Sequence, residues 1–286
     1  MSADLPRWKL GIEEASALGL RREPKSRTIE LLALGDSSRI VVGLRPDATG
    51  RLAGGEPANA HPVEGLPDEL RHGDAQWEGV AGDATGRIFI LRERRSELLV
   101  VSPGFRFERR IALRHEWRDD ARNGLEGLLL LRRGHVLAAK QKGPVRLIEF
   151  GPPGDTPLGL TTESWLQLDE PAMLTSHREL HQLAEWKFAD PKPPSLNDLA
   201  VHAGRLYVIS SDGRCILRVR LPIEPDVERI RLDGRWPLPK GIGSGSDAKA
   251  EGLLVDDRLG VLVCVDAHST GHSLYQVRRS VADLIR

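Results

Sequence analysis

The sequence predicts a single all-β domain, a β-propeller of four-stranded antiparallel blades. Three observations predict this fold: short apolar runs between turn-forming residues, one strand plan that recurs along the chain, and a Glu-Gly pair that opens several copies of that plan. Short apolar runs bounded by Gly, Asp and Pro are typical of strands. Four-stranded units repeated about every 45 to 70 residues are typical of a propeller, in which radial repetition protects the strand edges.

Composition sets the broad class of protein. The chain has 286 residues, is 40% hydrophobic and carries a formal net charge of zero, which is enough apolar material for one large core. The balanced charge argues against nucleic acid and against an anionic membrane surface as partners. No apolar run marks a targeting segment or a membrane span. We therefore expect a cytoplasmic protein.

Four copies of the strand plan are clear. They begin at Glu78, Glu126, Asn197 and Glu251, and each contains an apolar stretch, a turn, a second apolar stretch, a polar loop and a third apolar stretch. The polar loop follows the first position by 15 residues in three copies and by 14 in the copy at Asn197. Each copy therefore predicts a three-stranded meander in the same register.

A fifth and more divergent copy near the N-terminus places Ser16 at the glutamate position and Asp36 at the loop position. Further strand-like material after the meanders predicts a fourth, outer strand, and the segment "PRWKLGI" predicts the strand that closes the ring. The blade-opening strands begin near residues 14, 76, 124, 195 and 249. Five blades are favoured over six, because residues 151–194 look more like an insertion than a degenerate sixth blade.

The first strand of each propeller blade lines the central channel, so the polar residues that open these strands should converge. The predicted set comprises Ser16, Glu78, Glu126, Asn197, Asp198 and Glu251. Converging carboxylates raise one another's pKa unless a cation lies among them, and calcium prefers such oxygen ligands, whereas zinc prefers His or Cys. Three interpretations remain open: a calcium site, a set of structural hydrogen bonds that hold neighbouring blades together, or an acidic funnel that faces substrate without metal.

The loops after the second strands predict another polar ring at the same face. Lysines there could bind an anionic substrate, and two following histidines are candidate general bases in catalysis. The candidate substrate-binding residues are Asp36, Glu93, Arg94, Lys140, Lys142, Ser211, Asp212 and Asp266, and the candidate catalytic residues are His268 and His272.

The segments "QWEGVA", "GLEGLL", "SLNDLAV" and "KAEGLLV", each at the head of a copy, resemble the SdiA-regulated β-propeller family, which is related to calcium-regulated propellers described as phytase-like or esterase-like. The resemblance covers nearly the whole chain from about Glu14. It implies a calcium-associated propeller in which Glu78, Glu126 and Glu251 match the family's blade-opening glutamates.

Two functional hypotheses follow from these patterns. One is a calcium-dependent hydrolase of a phosphoester, ester or lactone, with a small anionic or ester substrate at the channel mouth. The other is a non-catalytic propeller that binds a ligand or a protein partner and uses the axial cation for structure alone. Fold alone does not separate these two.

Overall fold

The computed structural model describes residues 5–47, 49, 51–52, 59–72, 75–116, 124–174, 176–243, 248–267, 272–278 and 280–284. In these ranges the helical elements are three short turns, namely α1 (Asp68–Arg71) and two 3-10 turns at Arg132–Gly134 and Val281–Leu284. No helix there has the length and apolar character needed to cross a bilayer. The prediction of an all-β fold is confirmed.

The part of the chain that the structure describes contains twenty-one strands. They are β1 (Arg7–Lys9), β2 (Ala15–Arg22), β3 (Ile29–Gly35), β4 (Ile40–Leu44), β5 (Asn59–Pro62), β6 (Trp77–Gly82), β7 (Ile88–Arg92), β8 (Glu97–Val101), β9 (Phe107–Arg114), β10 (Leu125–Leu130), β11 (Val136–Lys140), β12 (Arg146–Gly151), β13 (Glu179–Phe188), β14 (Asp198–His202), β15 (Arg205–Ser210), β16 (Cys215–Val219), β17 (Arg229–Ile230), β18 (Leu232–Pro237), β19 (Ala248–Asp256), β20 (Gly260–Ala267) and β21 (His272–Arg278).

Antiparallel pairing groups twenty of the described strands into five four-stranded units, and the innermost strand of each unit comes first in its meander. The remaining strand, β17, pairs in parallel with β13. The units are β2 to β5, β6 to β9, β10 to β13, β14-β15-β16-β18, and β19-β20-β21-β1. Outer strands β9 and β13 also pair in parallel and so join the second unit to the third. The N-terminal strand β1 pairs with β21, which confirms ring closure by the N-terminal segment. The segment 151–194 supplies β13, the outer strand of the third unit.

The core lies between the units rather than within them. Five clusters of buried hydrophobic residues separate successive units, and one inner-strand position of the repeat contributes one residue to each cluster. These residues are Leu18, Val80, Leu128, Leu199 and Leu253. The inner strands contact one another in a closed cycle, from β2 through β6, β10, β14 and β19 back to β2. The sheets therefore pack radially around one axis, as a propeller requires.

The glycine of each Glu-Gly pair in an inner strand permits this close approach of inner strands. A Cβ atom at Gly79 would lie 2.9 Å from the Cβ of Leu128 in the next unit. A Cβ at Gly127, whose φ is +63°, would lie 2.9 Å from the Cα of Asp198. Distances this short leave no room for a side chain, so the backbone of one inner strand occupies the space that a larger residue would need.

The residue that opens each inner strand lies at a β-bulge. The register with the second strand shifts between Ala15 and Ala17, between Trp77 and Gly79, between Glu126 and Leu128, and between Ala250 and Gly252. In the fourth unit the Asn197 N–H donates to the carbonyl of Ile209, the same residue that pairs with Asp198. A bulge re-aims side chains at the end of a strand. The recurring acidic position is therefore the point where each inner strand departs from regular alternation.

Candidate acidic site at the channel mouth

The starts of the inner strands and the loops after the second strands lie at the same end of the channel. One backbone hydrogen bond repeats in three units: the N–H of Asp36 donates to Glu14 O, that of Glu93 to Gln76 O, and that of Gln141 to Gly124 O, over 2.9, 3.0 and 3.2 Å. The two predicted polar rings meet there. We call this end the acidic mouth, and its carboxylates are Asp36, Glu78, Glu93, Glu126, Glu251 and Asp266.

The two most buried carboxylates of the acidic mouth are Glu78 and Glu126, which are 8% and 6% exposed. Burial raises the pKa of Glu78 well above its ordinary value, and the nearby Glu126 carboxylate raises it further. Burial also raises the pKa of Glu126 well above its ordinary value, and Glu251 and Glu93 add to this. Both effects have the same physical cause, the cost of placing negative charges together away from water.

Two further carboxylates titrate closer to neutrality. Burial, reinforced by Asp266, raises the pKa of Glu251 to about 8, although the ammonium group of Lys249 lies 3.9 Å from its Oε1. Burial, followed by the charges of Glu14 and Glu93, raises the pKa of Asp36 to about 6. In the absence of a bound cation, the acidic mouth therefore retains protons at neutral pH.

Hydrogen bonds at the acidic mouth tie neighbouring units together. Oε1 of Glu93, in the second unit, accepts the N–H of Gly124 at the start of the third, over 2.6 Å. Asn197 Nδ2, in the fourth unit, donates to Oε2 of Glu126 over 3.2 Å. The amide oxygen of Asn197 accepts the Ser195 hydroxyl at 3.1 Å and the Ser211 N–H at 2.9 Å. These carboxylates and this amide therefore connect units as well as line the mouth.

Ser16 and Asp198, both predicted as metal ligands, brace the inner strands. The Ser16 hydroxyl donates to the carbonyl of Trp77 in the next unit. Oδ2 of Asp198 accepts the N–H groups of Leu253 and Leu18 at 2.9 and 3.3 Å, and Oδ1 accepts the Leu199 N–H at 2.8 Å. Asp198 thus joins the inner strands of the first, fourth and fifth units. Burial raises its pKa well above the ordinary value, and the three N–H groups partly offset this.

The predicted substrate-binding cations are engaged within the protein. The ammonium group of Lys142 lies 2.8 Å from Oδ2 of Asp212. Lys140 is 3% exposed at the end of β11, and Arg94 lies in the hairpin after β7; both have interaction partners. His268 lies outside the described residues, and His272 is the first residue of β21. The catalytic role of these two histidines stays a prediction.

Sequence reasoning missed three residues near the acidic mouth. Glu14 and Gln76 precede the bulged residues of their units by two positions, and both have positive φ angles of 50°. Oε1 of Gln76 is buried without a hydrogen-bond partner among the described residues. Lys249 occupies the same position of the repeat in the fifth unit. The residues at this position differ in type between the copies, so residue type gave no signal. The signal available in the sequence was their common position, two residues before the glutamate position of the repeat.

Comparison with known proteins establishes the fold. No family model matches the chain, and no curated protein matches it in sequence. Glutaminyl cyclase from Myxococcus xanthus has a TM-score of 0.56 at 13% identity, over 96% of this chain and 94% of that one. A gluconolactonase from Xanthomonas campestris has a TM-score of 0.44 at 17% identity, over 97% and 78%. A Bacteroides caccae protein of unknown function has a TM-score of 0.41 at 13% identity, over 82% of this chain and 64% of its own length.

At these identities the likeness concerns the fold and does not extend to an activity. The resemblance to SdiA-regulated propellers at the blade openings stays a prediction. The strand pairing and the likeness to glutaminyl cyclase together show that the chain folds as a β-propeller.

Proposed function

We propose that the acidic mouth binds a divalent cation, calcium by its donor chemistry, and that it is the site of a hydrolase acting on an ester, lactone or phosphoester. The observation that carries this proposal is the convergence of Glu78, Glu126 and Glu251 from three different inner strands into a mostly buried position. Like charges held together away from water are costly unless they are protonated or neutralised by a cation.

The donors fit calcium in their chemistry. All are oxygens, from carboxylates and from the Asn197 amide, and calcium accepts six to eight such ligands in flexible geometry. Oδ1 of Asp36 is also buried without a hydrogen-bond partner among the described residues. In the ranges that the structure describes, no three His, Cys, Asp or Glu side chains already stand at metal-ligand spacing. Binding would therefore require glutamate side chains to rotate towards the ion.

A bound cation at this place would supply Lewis acidity towards a substrate oxygen or a water molecule. The chain's own groups would handle the protons. Without the cation, Asp36 has a pKa of about 6 and Glu251 has a pKa of about 8, and a bound cation would lower both values. Asp36 would then be ionised and could act as a general base, while Glu251 would be an ionised ligand of the cation.

Charge favours a neutral substrate over a phosphoester. Six carboxylates form the acidic mouth, and two nearby lysines, Lys142 and Lys249, lie within 4 Å of carboxylates, at 2.8 and 3.9 Å. Because these two lysines already face carboxylates, they offer an anionic substrate little positive charge at this mouth. Of the three substrate classes, esters and lactones therefore match the site better.

A second function is supported by the hydrogen bonds across units. Glu93 and Glu126 each accept a donor from the following unit, so the acidic mouth also acts as structural connection. In this case the propeller binds a ligand or a protein partner, and the cation serves stability alone.

The test is a thermal melt of the purified protein in EDTA and in millimolar calcium, beside the variant Glu126→Gln and the matched control Glu163→Gln at an exposed position. At one hundred times its dissociation constant, calcium adds about 2.7 kcal/mol to the free energy of unfolding. We expect a calcium-dependent rise in melting temperature that Glu126→Gln loses and Glu163→Gln keeps. Coincident curves for the wild-type protein in EDTA and calcium would rule out the cation site.

Turnover separates the two functions. A panel of neutral esters and lactones, with phosphoesters beside them, is assayed in calcium and in EDTA. Calcium-dependent hydrolysis that Glu126→Gln abolishes would support the hydrolase. Calcium-dependent stability without turnover of any panel member would favour the structural role.

A further inference from the structure

The segment between β12 and β13 crosses the end of the channel opposite the acidic mouth. We call its residues 152–174 the strap. Backbone bridges attach it to the fourth and third units, and the Ala172 N–H donates to Oδ2 of Asp83 in the second unit over 2.9 Å. The bridging pairs are Leu160 with Ile223 and Trp165 with Leu131. Residues 165–168 lie beside all five inner strands, so the strap forms one wall of this end of the channel.

The start of the strap is held by a buried polar cluster with His135 at its centre. Nδ1 of His135 lies 2.6 Å from Oε1 of Glu149, in β12, and Nε2 lies 3.2 Å from Oδ2 of Asp155, in the strap. His135 and Glu149 are fully buried, whereas the Asp155 side chain is 45% exposed. One imidazole ring therefore connects the strap to the body of the third unit through two carboxylates.

The number of protons on His135 follows from these contacts. Glu149 also accepts the N–H groups of Leu158 and Gly159 over 2.8 and 3.2 Å, so both of its oxygens act as acceptors, as those of an ionised carboxylate do. Neutral imidazole has one N–H, whereas imidazolium has two. Neutral His135 would therefore turn a lone pair towards one of the two carboxylates, and only the imidazolium form donates to both.

We propose that His135 is a pH-sensitive clasp of the strap. In its protonated form it ties Asp155 to β12, and loss of one ring proton releases Asp155 and loosens the start of the strap. Histidine is the side chain whose charge ordinarily changes between about pH 5 and 8. The proposal concerns the opposite end of the channel and does not depend on the function of the acidic mouth.

The packing around the ring decides which bond is lost. A Cβ atom at Gly151 would lie 2.8 Å from both Cε1 and Nε2 of His135, so the backbone at the end of β12 packs directly against the ring and keeps its orientation. Glu149 has no access to water, and a buried charge without a partner is costly. Asp155 is half-exposed and can turn towards water, so deprotonation breaks the bond to Asp155.

The other charged groups of the elements around His135 have their own partners or are exposed. Arg132 lies 3.0 Å from Glu170, His181 lies 3.1 Å from Glu179, Arg146 contacts Glu185, and Arg133, Glu163 and Asp169 are exposed. Within the part of the chain that the structure describes, Glu149 and Asp155 are the charged groups in contact with His135. The later attachments of the strap are mainly backbone bonds, which do not titrate. The response to pH is therefore confined to the start of the strap.

The first measurement counts the protons on His135 in the wild-type protein labelled with ¹⁵N-histidine. The ring is assigned by its contacts with Gly151. At about pH 6 we expect a proton on each ring nitrogen, and we expect one of the two to be lost as the pH is raised to about 10. A single ring proton at the lower pH would overturn the proposal, as would two ring protons that persist at the higher pH.

The second measurement follows the strap by amide hydrogen exchange, corrected for the intrinsic pH dependence of the exchange reaction. We expect the protection of the Leu158 and Gly159 amides to fall about 2- to 10-fold as His135 loses its proton, the range of one net hydrogen bond. Asp155→Ala removes the half-exposed partner and leaves the buried pair of His135 and Glu149 in place. In this variant the two amides should already be less protected at about pH 6 and should respond little to a further increase in pH.

The matched control is Asp169→Ala, at an exposed acidic residue of the same strap, which should exchange as the wild-type protein does. Two exchange results would contradict the proposal. One is a pH dependence at Leu158 and Gly159 that is the same in the wild-type protein and in Asp155→Ala. The other is an equal loss of protection in Asp169→Ala, since any negative charge on the strap would then have the same effect.

Discussion

The two ends of the channel are built from the same five inner strands but present opposite chemistry. At the acidic mouth, where the inner strands are irregular, six carboxylates gather, and burial together with neighbouring negative charges raises the pKa of Asp36, Glu78, Glu126 and Glu251. At the opposite end, where the strands have resumed regular alternation, the inner strands present mostly aliphatic residues, among them Leu20, Leu129 and Val201.

The difference shows that the bulge divides each inner strand into two parts. The residues before and at the bulge line the acidic mouth, and the residues after it pack between units. Before and at the bulge, the side chain is re-aimed and can project into the mouth. After it, side chains such as Leu128 and Leu199 enter the clusters between units. Asp198 lies between the two ends and ties inner strands of three units together.

Substitution of Asp198 should produce the largest loss in the free energy of unfolding. Asp198→Ala deprives two buried N–H groups on other units, those of Leu18 and Leu253, of their acceptor. Because each buried and unpaired donor costs about 1 to 3 kcal/mol, we expect a loss of about 3 to 5 kcal/mol in the free energy of unfolding, measured by urea denaturation. Asp198→Asn keeps one oxygen and should lose less. If Asp198→Ala cost no more than Asp212→Ala at the half-exposed ion pair with Lys142, the assignment of Asp198 as a brace would be wrong.

A smaller loss in the free energy of unfolding should follow from a side chain placed between two inner strands. Gly127→Ala places a Cβ 2.9 Å from the Cα of Asp198 at a φ of +63°, and we expect a loss of about 2 to 4 kcal/mol from crowding and backbone strain together. Gly65→Ala is the matched control, because Gly65 has a φ of +71° and no atom within 4 Å of the added Cβ. Equal losses in the two variants would show that strand approach contributes nothing.

The smallest effect should be a pH dependence confined to the acidic mouth. The pKa of Glu251 is raised from 4.5 to about 8 in the folded protein, so the folded state holds a proton that the unfolded state releases. The resulting stability is complete below about pH 4.5 and is lost as the pH rises through 8. In EDTA, we expect Glu251→Gln to reduce the loss of unfolding free energy between pH 5 and 9 by about 1 to 2 kcal/mol.

Thermal or urea melts across this pH range would measure the difference, with the exposed Glu163→Gln as the control that keeps the wild-type slope. Part of the slope should remain in Glu251→Gln, because Glu78 and Glu126 also have raised pKa values. Identical slopes in the wild-type protein and Glu251→Gln would contradict the burial of Glu251 as a source of the shift.

Much of the fold could be predicted because the repeat makes independent copies confirm one another. The shared spacing from Glu78 to Glu93 and from Glu126 to Gln141 corresponds to the same backbone hydrogen bond in the structure, and the strand predicted around Trp8 closes the ring. The bulge was not predicted. A bulge near the start of a strand leaves the apolar pattern of the remaining residues unchanged, so the sequence reads like a regular strand that begins one residue later.

The contacts of individual side chains were harder to predict than the positions of their residues. Asp198 was predicted as a metal ligand from its neighbour Asn197, but its oxygens accept backbone N–H groups from strands 55 and 180 positions away in the chain. Lys142 was predicted to bind substrate, and the structure places Asp212 of the next unit beside it. Trp165, which bridges to Leu131, lies in a segment outside the repeat, so no second copy could indicate its contacts.

Ring closure by β1 has a consequence for synthesis of the protein. Strand β1 is translated before the rest of the propeller, but its partner β21 follows more than 260 residues later, so β1 must wait unpaired until the strands of the fifth unit emerge. During that interval the exposed edge can pair with other chains. A nascent chain stalled before residue 272 would present this open strand to chaperones or to neighbouring polypeptides, whereas the folded propeller keeps β1 paired with β21.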